Sequence, residues 1–539
     1  MKQILSILTL FSIAIFAQND KHLIILHTTD VHGNIYPYNY FSDKPSDAGL
    51  AKVYTKVKEF REKNKNVLLL DSGDLLQGTP LIYYFNNIEN TIYNPMILVM
   101  NYMNYDAFTV GNHDIEQGYS TYYKAMKESD FPWLSANGVK HDGSTFFKPY
   151  TILEKNGIRI GIVGLTTPAI PMWLDESLYP GIEWKDMVET AIKYAELLRP
   201  QVDVLVGLFH AGMNEDYSKQ FTDAQNLPNE NASKLVAENV PQFDIIFSGH
   251  SHKVFPEEGE NCIVNNSAMV MPGGHARYLG VGDITLKDKK VVKKSGYVIN
   301  MKDVEPAKEI LDIAKPYHDK TLSYIRQQVG TAKDSISAKN ARWQDTALME
   351  LINKAQMAKT GADISFAASF NDNVLIPPGP VFIKDIYGMY IYENFLYVIQ
   401  MTGQQIIDYL EFSAHYYLYD KNSGVITKNP KVSGFNYDVA EGISYKIDVT
   451  KEFGERIKDV IFIDAGKPIV KNKTYSVALN SYRASGGGGH LAAAGNPNAN
   501  IIWKSNEEMR NILADYIMEI GEIGGEVNNN WSIVKVEER

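Results

Sequence analysis

The sequence predicts a layered α/β domain followed by a second, smaller domain. Short apolar runs end in polar clusters over the first 300 residues, and amphipathic helical stretches separate them. From Val329 onward the composition shifts towards Tyr, Asn and Gly, and clusters of Asp with His no longer occur. A chain of 539 residues is too long for one compact core, which also favours at least two domains.

The bulk composition is that of a globular protein, with 45% hydrophobic and 22% charged residues. A formal net charge of -11 argues against a protein that binds nucleic acid polymers through a broad basic face. A small anionic substrate would therefore need local cations, which bound metals could supply. We expect a monomer that acts on a small molecule.

Residues 1–17 read as a secretory signal. Lys2 gives a positive start, residues 4–16 form an apolar run, and Ala17 is a small residue suited to cleavage. The run is short for a membrane span, so the alternative of an uncleaved anchor is less favoured. We expect an exported protein, periplasmic or secreted, without a membrane span after cleavage. Cys262 is the single cysteine, so no intrachain disulfide can form.

Residues 22–300 form the first predicted domain. Its apolar runs are typical of strands buried on both faces, and they lie at 23–26, 67–70, 108–110, 204–209 and 245–247. A further strand is predicted at 159–167, where no metal-type cluster follows. Residues 51–63 and 187–198 are predicted helices on the faces of the sheets.

Residues 304–328 are predicted to form a linker helix. Pro306 lies near its start, and Pro316 is expected to kink or interrupt it. Residues 329–539 then form the second domain. Its predicted helices are 345–360 and 403–417, and its predicted strands are 396–401, 443–448, 458–463 and 475–479.

Polar side chains follow five of the apolar runs of the first domain. They are Asp30, His32, Asp74, Asn112, His113, His210, His250 and His252. Open α/β sheets bind ligands at the carboxyl ends of their strands, so these side chains are expected to converge. A mixed set of carboxylate, amide and imidazole ligands suits Zn, Mn, Co or Fe rather than Ca. The set is too large for one tetrahedral ion and fits two ions that share a carboxylate.

Each of these motifs taken alone has a plainer interpretation, as a turn, a cap or a pair of solvated imidazoles. Five such clusters in one domain, each after an apolar run, favour a metal site. A purely structural zinc site fits less well, because ligands rich in Asp and Asn leave coordination positions open. His275 could approach the same site, and the sequence leaves its role undecided.

The five motifs resemble those of the calcineurin-like metallophosphoesterases. They are Asp30-x-His32, Gly73-Asp74, Gly111-Asn112-His113-Asp114, His210 and Gly249-His250-Ser251-His252. Within that superfamily the chain is similar to the exported 5′-nucleotidase family, and most to its branch of 2′,3′-cyclic-nucleotide 2′-phosphodiesterase/3′-nucleotidases. The stretches that carry this likeness are 71–80, 248–256, 434–439, 445–450 and 480–484. The resemblance implies a four-layer αββα sandwich followed by a smaller α+β nucleotide-binding domain.

The resemblance also implies roles for the clustered residues. One divalent ion would be held by Asp30, His32, Asp74 and His252, and the other by Asp74, Asn112, His210 and His250, with Asp74 bridging. His113 would lie beside the phosphoryl group, where it could stabilise charge or protonate the leaving oxygen. Asp114 would orient His113, and the role of Glu116 is left open.

In the second domain the resemblance implies a nucleotide pocket. Phe435 and Tyr482 would sandwich the base, since every base offers a π-face for stacking. The turn that follows would let the backbone approach the nucleoside, and it comprises Arg483, Ala484, Ser485, Gly486 and Gly487. Ordinary core packing is the alternative for the two aromatic residues.

Two departures from the 5′-nucleotidase pattern favour the cyclic-nucleotide branch. Residues 486–489 are all glycine, so the second loop offers no carboxylate to the ribose, and an arginine motif is not evident near 369–371. We expect a dimetal phosphoesterase that hydrolyses 2′,3′-cyclic nucleotides and 3′-nucleotides to nucleoside and phosphate. The alternatives are a 5′-nucleotidase or nucleotide-sugar hydrolase with the same metals, and a surface binding protein that has lost catalysis.

Overall fold

The computed structural model describes residues 20–214, 222–223 and 226–534. The predicted signal, residues 1–17, lies outside the described residues. Two β-sheets with their flanking helices form the N-terminal domain, and a helix joins it to a C-terminal domain built around a five-stranded sheet. None of the described helices combines the length and the apolar surface that a bilayer crossing requires.

The first sheet of the N-terminal domain has six strands. In spatial order they are Lys290–Asn300, Tyr278–Lys287, Lys21–Thr28, Val67–Asp71, Ala107–Thr109 and Trp133–Leu134. The last four run parallel, and the first two join them in an antiparallel manner. Parallel pairing brings the ends of the first, second and third predicted runs to one edge of the sheet, where the Asp and His clusters begin.

The second sheet has seven strands and a parallel centre. Its strands are Val254–Phe255, Ser267–Pro272, Val204–His210, Ile245–Ser248, Ile158–Thr166, Tyr150–Lys155 and Ile263–Val264. The strand Val204–His210 lies between Ile158–Thr166 and Ile245–Ser248 and is parallel to both. Two further polar clusters, at His210 and beyond Ser248, therefore lie at one edge as well.

Three apolar layers hold four structural layers together. Side chains such as Ile25 and Leu68 pack between the two sheets, whereas Leu26 and Leu69 face the helices outside the first sheet. This alternation follows from the two-residue period of a strand. The outer helices of the first sheet are Leu50–Lys63, Pro95–Met103 and Tyr119–Glu128, and those of the second are Met187–Leu198 and Ser233–Asn239. The expected αββα sandwich is confirmed.

The linker helix spans Lys308–Ile325 and continues through Pro316. Of the two outcomes expected at Pro316, a kink or an interruption, the interruption does not occur. Ile310, Ala314 and Ile325 are buried in the core outside the first sheet, and this packing outweighs the one backbone hydrogen bond that proline removes. The helix belongs to the N-terminal domain, and the next strand, Gln328–Ala332, belongs to the C-terminal domain.

The C-terminal domain packs its helices on a mixed five-stranded sheet. The strands in order are Asp438–Glu441, Ile364–Ala368, Thr474–Asn480, Phe395–Thr402 and Ile501–Glu508. Its main helices are Ala347–Thr360, Ile383–Met389, Gly403–Ser413 and Met509–Ile520. One three-stranded sheet comprises Gly379–Phe382, Gln328–Ala332 and Glu522–Ile523. Another comprises Ile457–Phe462, Ile443–Ile447 and Trp531–Ile533. The expected α+β architecture is confirmed.

Polar contacts join the two domains. Asp43 of the N-terminal domain lies 2.9 Å from Arg326 at the end of the linker helix and 3.2 Å from Lys384 of the C-terminal domain. Gln117 Nε2 donates to Glu393 Oε2 at 2.9 Å, so the C-terminal domain reaches the loop that follows the Asn-His-Asp motif. The structure therefore describes an arrangement in which the two domains touch beside the candidate site.

Candidate active site

The structure gathers six of the predicted metal ligands into two groups. Asp30, His32 and His252 form one group and Asp74, His210 and His250 form the other, and within each group the potential ligand atoms all lie within 4.8 Å of one another. In the first group His32 Nε2 lies 3.1 Å from His252 Nε2, and His252 Nε2 lies 3.3 Å from a carboxylate oxygen of Asp30.

Asn112 joins the second group through its side-chain oxygen. Its Oδ1 lies 3.0 Å from His210 Nε2, and the same nitrogen lies 3.2 Å from Asp74 Oδ2. The backbone oxygen of Asp74 accepts a hydrogen bond from the N–H of His32 at 2.9 Å, so Asp74 is also tied to the first group. This position between the groups suits the bridging role that the resemblance implies for Asp74.

Five of these residues have a left-handed backbone, which side chains other than glycine rarely adopt. The φ angles are 50° at Asp30, 51° at His32, 59° at Asp74, 72° at His250 and 55° at His252. Each such residue costs on the order of 1–2 kcal/mol. Strain shared by five neighbouring polar residues is typical of a functional site, because folding alone would select glycine there.

Glycines beside the ligands allow the loops to approach one another. A Cβ added at Gly111 would lie 2.2 Å from Asp74 Oδ1, and one added at Gly249 would lie 2.0 Å from Thr29 Oγ1. Both distances are far below a normal van der Waals contact, so any larger residue would push the loops apart. This explains the glycines that precede Asn112 and His250 in their motifs.

The electrostatics of the groups favour a bound cation. Burial by itself would raise the pKa of Asp74, yet the neighbouring His210 and His113 hold it well below its usual range. Burial opposes protonation of His210, but Asp74 and Asp30 raise its pKa to about 9. In the described part of the chain, the buried carboxylates of Asp30 and Asp74 have imidazoles and no lysine or arginine as ion-pair partners.

The donor set fits two borderline divalent ions. His32 Nε2 and His252 Nε2 lie 3.1 Å apart. Two imidazole nitrogens this close together could both bind the same cation. Nitrogen and oxygen ligands converge on both groups, and buried carboxylates supply the negative charge that would balance an ion. This arrangement supports an assignment of both groups as metal sites and does not select one metal.

His113 lies at the rim of the two groups and pairs with Glu116. His113 Nδ1 lies 2.5 Å from Glu116 Oε2, and the backbone N–H of His113 donates to Asp74 Oδ1 at 2.8 Å. Burial opposes protonation of His113, but Asp74 and Glu116 raise its pKa to about 10. The ring centroid of His113 lies 5.6 Å from that of His32, and the side chain of His113 is 31% exposed, so the ring lies beside the first group and is partly open to solvent.

The role predicted for Asp114 is corrected by this geometry. Its carboxylate accepts four backbone hydrogen bonds, from Gly111, Asp74, Leu75 and Leu76, at 2.8–3.0 Å. It therefore ties the second metal loop to the short helix Asn112–Glu116 and does not contact the ring of His113. Glu116 is the residue that orients His113, because it follows three positions later on the same helix and faces the same side.

Other side chains complete the wall of the site. The ring centroid of His275 lies 5.4 Å from that of His32 and 5.3 Å from that of His252, and Trp173 lies 5.5 Å from His250. His275 thus approaches the first group, as its sequence position allowed. Burial and the neighbouring His32 and His252 lower the pKa of His275 to about 2, so the ring is neutral.

In the C-terminal domain one arginine joins the two predicted substrate loops. Arg483 is almost completely buried and forms a bidentate pair with Asp438, with both N–O distances 2.9 Å. Its guanidinium also donates to the backbone oxygen of Phe435 at 2.7 Å and to that of Gly487 at 3.2 Å. Arg483 therefore orders the loops that carry Phe435 and Tyr482, and its own donors are engaged within the protein.

The neighbouring predicted substrate residues have unequal exposure. The ring of Phe435 is 38% exposed, while Tyr482 and Ser485 are half-buried and Ala484 is buried. The turn needs glycine, since φ is 96° at Gly486 and a Cβ at Gly487 would lie 2.6 Å from the Tyr482 ring. The exposure of Phe435 departs from ordinary core packing.

Glu230 of the N-terminal domain lies between the two halves of the site. Its Oε1 is 2.9 Å from His250 Nε2. Burial, opposed by Arg483, raises the pKa of the Tyr482 hydroxyl, and the carboxylate of Glu230 contributes to that rise. Tyr482 therefore lies in the electrostatic neighbourhood of the second metal group.

Sequence reasoning missed the parts played by Glu116 and Glu230. The spacing of three residues between His113 and Glu116 on a helix would have indicated their pairing, had the start of that helix been recognised. Glu230 lies 20 residues before His250, and no local pattern links the two.

Comparison with known proteins agrees with the two domains. Residues 23–254 match the calcineurin-like phosphoesterase family, and residues 328–495 match the family described as 5′-nucleotidase, C-terminal domain. A trifunctional nucleotide phosphoesterase protein YfkN of Bacillus subtilis is 31% identical over 96% of this chain, and the chain spans only 39% of the length of that relative. A 2′,3′-cyclic-nucleotide 2′-phosphodiesterase/3′-nucleotidase of Haemophilus influenzae is 29% identical over 96% of this chain and 88% of its own length.

A solved structure supports the same assignment. The crystal structure of calcineurin-like phosphoesterase YfkN from Bacillus subtilis is 32% identical, with a TM-score of 0.52, and the match covers 57% of this chain and all of that one. Both family matches also agree with the fold described above, in which a four-layer sandwich precedes an α+β domain. The chain therefore belongs to the calcineurin-like metallophosphoesterases and carries a 5′-nucleotidase C-terminal domain.

Proposed function

We propose that this protein hydrolyses 2′,3′-cyclic nucleotides and 3′-nucleotides to nucleosides and phosphate. The observation that carries the proposal is the convergence of two Asp and His groups beside the His113–Glu116 pair. The name of the Haemophilus influenzae relative, which covers 96% of this chain, supports the choice of substrate. We further propose that the protein is an exported enzyme, which agrees with the apolar N-terminal run.

The residues of the N-terminal domain would bind and orient the phosphate ester. Two divalent ions, when bound by the ligand groups, would neutralise the phosphoryl oxygens and activate the attacking water. Glu116 holds His113 at Nδ1, so Nε2 of the same ring is free to donate a hydrogen bond or a proton to the ester. Because His113 is attached through its backbone to Asp74, its position is fixed relative to the metal groups.

The C-terminal domain would select the nucleoside. Phe435 and Tyr482 offer aromatic faces for the base, and Arg483 holds both of their loops in place. A cyclic substrate would open to a 3′-phosphate, which the same site could then cleave. We propose that the two domains rotate about residues 326–327, because the linker helix packs on the N-terminal domain and the next strand belongs to the C-terminal domain.

A substrate panel tests the proposal. Phosphate release from 3′-AMP, 5′-AMP and 2′,3′-cyclic AMP would be compared after reconstitution with Mn²⁺ or Zn²⁺, with Asp74→Asn as the inactive control. For the cyclic substrate, formation of 3′-AMP would be followed as well. We expect the cyclic and 3′-substrates to be hydrolysed with the higher kcat/KM.

Two outcomes would contradict the proposal in different ways. Faster hydrolysis of 5′-AMP would favour the 5′-nucleotidase alternative, which the description of the C-terminal family supports. Absence of bound metal together with absence of hydrolysis of bis-p-nitrophenyl phosphate would favour a binding protein that has lost catalysis.

A further inference from the structure

Glu230 is a buried carboxylate that contacts one of the candidate metal ligands without belonging to either ligand group. Its exposed fraction is 9%, and its Oε1 lies 2.9 Å from His250 Nε2. Neither group of converging ligand atoms includes it. Burial of a carboxylate costs free energy unless the carboxylate is paired. The position of Glu230 against His250 therefore calls for a physical explanation.

The backbone around Glu230 is fixed to the strand that carries another ligand. Thr167 Oγ1 donates to the backbone oxygen of Glu230 at 3.1 Å. The next residue, Asn231, accepts the N–H of Gly212 at 3.0 Å, and Gly212 follows His210 by two positions. Glu230 is therefore held at a defined distance from the second metal group.

Two other imidazoles of the site, those of His32 and His210, are each held by a hydrogen bond at one ring nitrogen. His32 is held at Nδ1 by the backbone oxygen of Gln77 at 3.0 Å, and His210 is held at Nδ1 by that of Ser72 at 2.6 Å. In both, the remaining nitrogen, Nε2, faces the ligand group. One nitrogen anchors the ring and the other faces the group, which fixes the tautomer and the orientation.

In His250 the two ring nitrogens exchange these roles, because the anchoring partner contacts Nε2 and not Nδ1. Glu230 engages Nε2, so a neutral ring carries its proton there and leaves the lone pair on Nδ1. The backbone N–H of His250 donates to the carboxylate of Asp30 at 3.0 Å, and the ring centroid of His250 lies 5.2 Å from that of His210, so the residue is held close to both groups.

We propose that Glu230 is a positioning residue that presents Nδ1 of His250 to the divalent ion shared with Asp74 and His210. The inference rests on the proposed dimetal function and adds a residue to it. Loss of such a partner typically weakens metal affinity by roughly 10- to 100-fold. Only the ion of the second group should be affected, because among the described residues the side chain of Glu230 has an ion pair with His250 and none with Asp30, His32 or His252.

The test measures metal binding by the full chain. Glu230→Ala and Glu230→Gln would be loaded with Zn²⁺ or Mn²⁺, and the ion stoichiometry and affinity would be measured by mass spectrometry and by competition with a chelator. Glu128→Ala is the matched control, because Glu128 is a half-buried carboxylate of the same domain that pairs with Lys124 and accepts the N–H of Asn94. We expect one of two ions to bind roughly 10- to 100-fold more weakly in Glu230→Ala.

The variants separate the outcomes. Glu230→Gln should show a smaller loss of affinity, since the amide oxygen can still accept from Nε2, and it carries the test if Glu230→Ala does not fold. Two ions bound with unchanged affinity in folded Glu230→Ala, or in Glu230→Gln where Glu230→Ala does not fold, would overturn the role of Glu230. Failure of the unmodified protein to bind transition ions would instead overturn the proposed function.

Discussion

Replacing Glu116 should slow phosphoester hydrolysis while the catalytic domain stays folded. The side chain of Glu116 is only 15% exposed, and its Oε2 lies 2.5 Å from His113 Nδ1. The structure shows no comparable contact for Asp114, whose carboxylate accepts four backbone N–H groups. The two neighbouring carboxylates therefore predict two different phenotypes.

The magnitude follows from the hydrogen bond that each variant loses. A hydrogen bond to a charged group is worth about 1.5–3 kcal/mol and a neutral one about 0.5–1.5 kcal/mol. At 1.36 kcal/mol for each factor of ten, Glu116→Ala should lower kcat by roughly 10- to 150-fold. Glu116→Gln keeps a neutral acceptor and should lower kcat by roughly 5- to 15-fold.

Asp114→Asn is the matched control. Its amide nitrogen would face backbone N–H donors, so two of the four hydrogen bonds are lost inside a buried loop. We expect the free energy of unfolding to fall by about 2–5 kcal/mol. The effect on kcat in the fraction that remains folded should be smaller than that of Glu116→Ala.

The assay would follow 3′-AMP hydrolysis at saturating metal together with urea unfolding of each variant. The expected pattern is a large loss of kcat with a small loss of stability for the Glu116 variants and the reverse for Asp114→Asn. A kcat unchanged in Glu116→Ala would refute the pairing of Glu116 with His113 as a functional device. A large loss of kcat in fully folded Asp114→Asn would restore Asp114 as the orienting residue.

Four further predictions test other parts of the structure. Tyr482→Ala should raise KM for nucleotides by roughly 5- to 150-fold, from about 1–3 kcal/mol of base stacking, and leave hydrolysis of bis-p-nitrophenyl phosphate unchanged. Chelation should abolish the activity of the unmodified protein reversibly on addition of Mn²⁺ or Zn²⁺, whereas Asp74→Asn should not be restored by either metal. A cleavable bismaleimide crosslink between cysteines introduced by Gln117→Cys and Glu393→Cys should block nucleotide turnover until the crosslink is cleaved; full turnover in the crosslinked variant would contradict domain rotation. Burial and the neighbouring Glu350 raise the pKa of Asp345 to about 7, above its unfolded value. The free energy of unfolding should therefore fall as pH rises from about 4 to about 7. Urea unfolding of Asp345→Asn should show a smaller fall over the same pH range.

Much of the N-terminal domain could be predicted because local signals agree with the tertiary structure. The predicted helix 187–198 has the bounds Met187–Leu198, since Asp186 caps its first turn and Pro200 follows its end. The strand Val67–Asp71 before Asp74 is apolar at its first four positions and buried throughout, so its end is visible in the sequence. The linker helix is not interrupted at Pro316, because its packing outweighs the local penalty of proline, which is the only term that the sequence shows.

The prediction that Asp114 is the partner of His113 came from their adjacency along the chain, whereas the structure pairs His113 with Glu116. Asp114 follows His113 directly, but successive helical residues point about 100° apart, whereas a residue three positions later lies on the same side. The sequence contained Glu116 and could not reveal that a helix starts at Asn112. The contact of Glu230 with His250 has no periodic signal at all, because it joins two loops of different strands.

The sequence by itself determined the chemistry of the donors and their placement at strand ends, since hydrophobic periodicity and residue type are local properties. The tertiary structure alone decided which carboxylate faces which imidazole, and that Arg483 holds the substrate loops. The physical reason is that a side chain's direction depends on the backbone angles of its loop and on the neighbours that fold against it, and five of the seven candidate metal ligands have a left-handed backbone that no local pattern predicts.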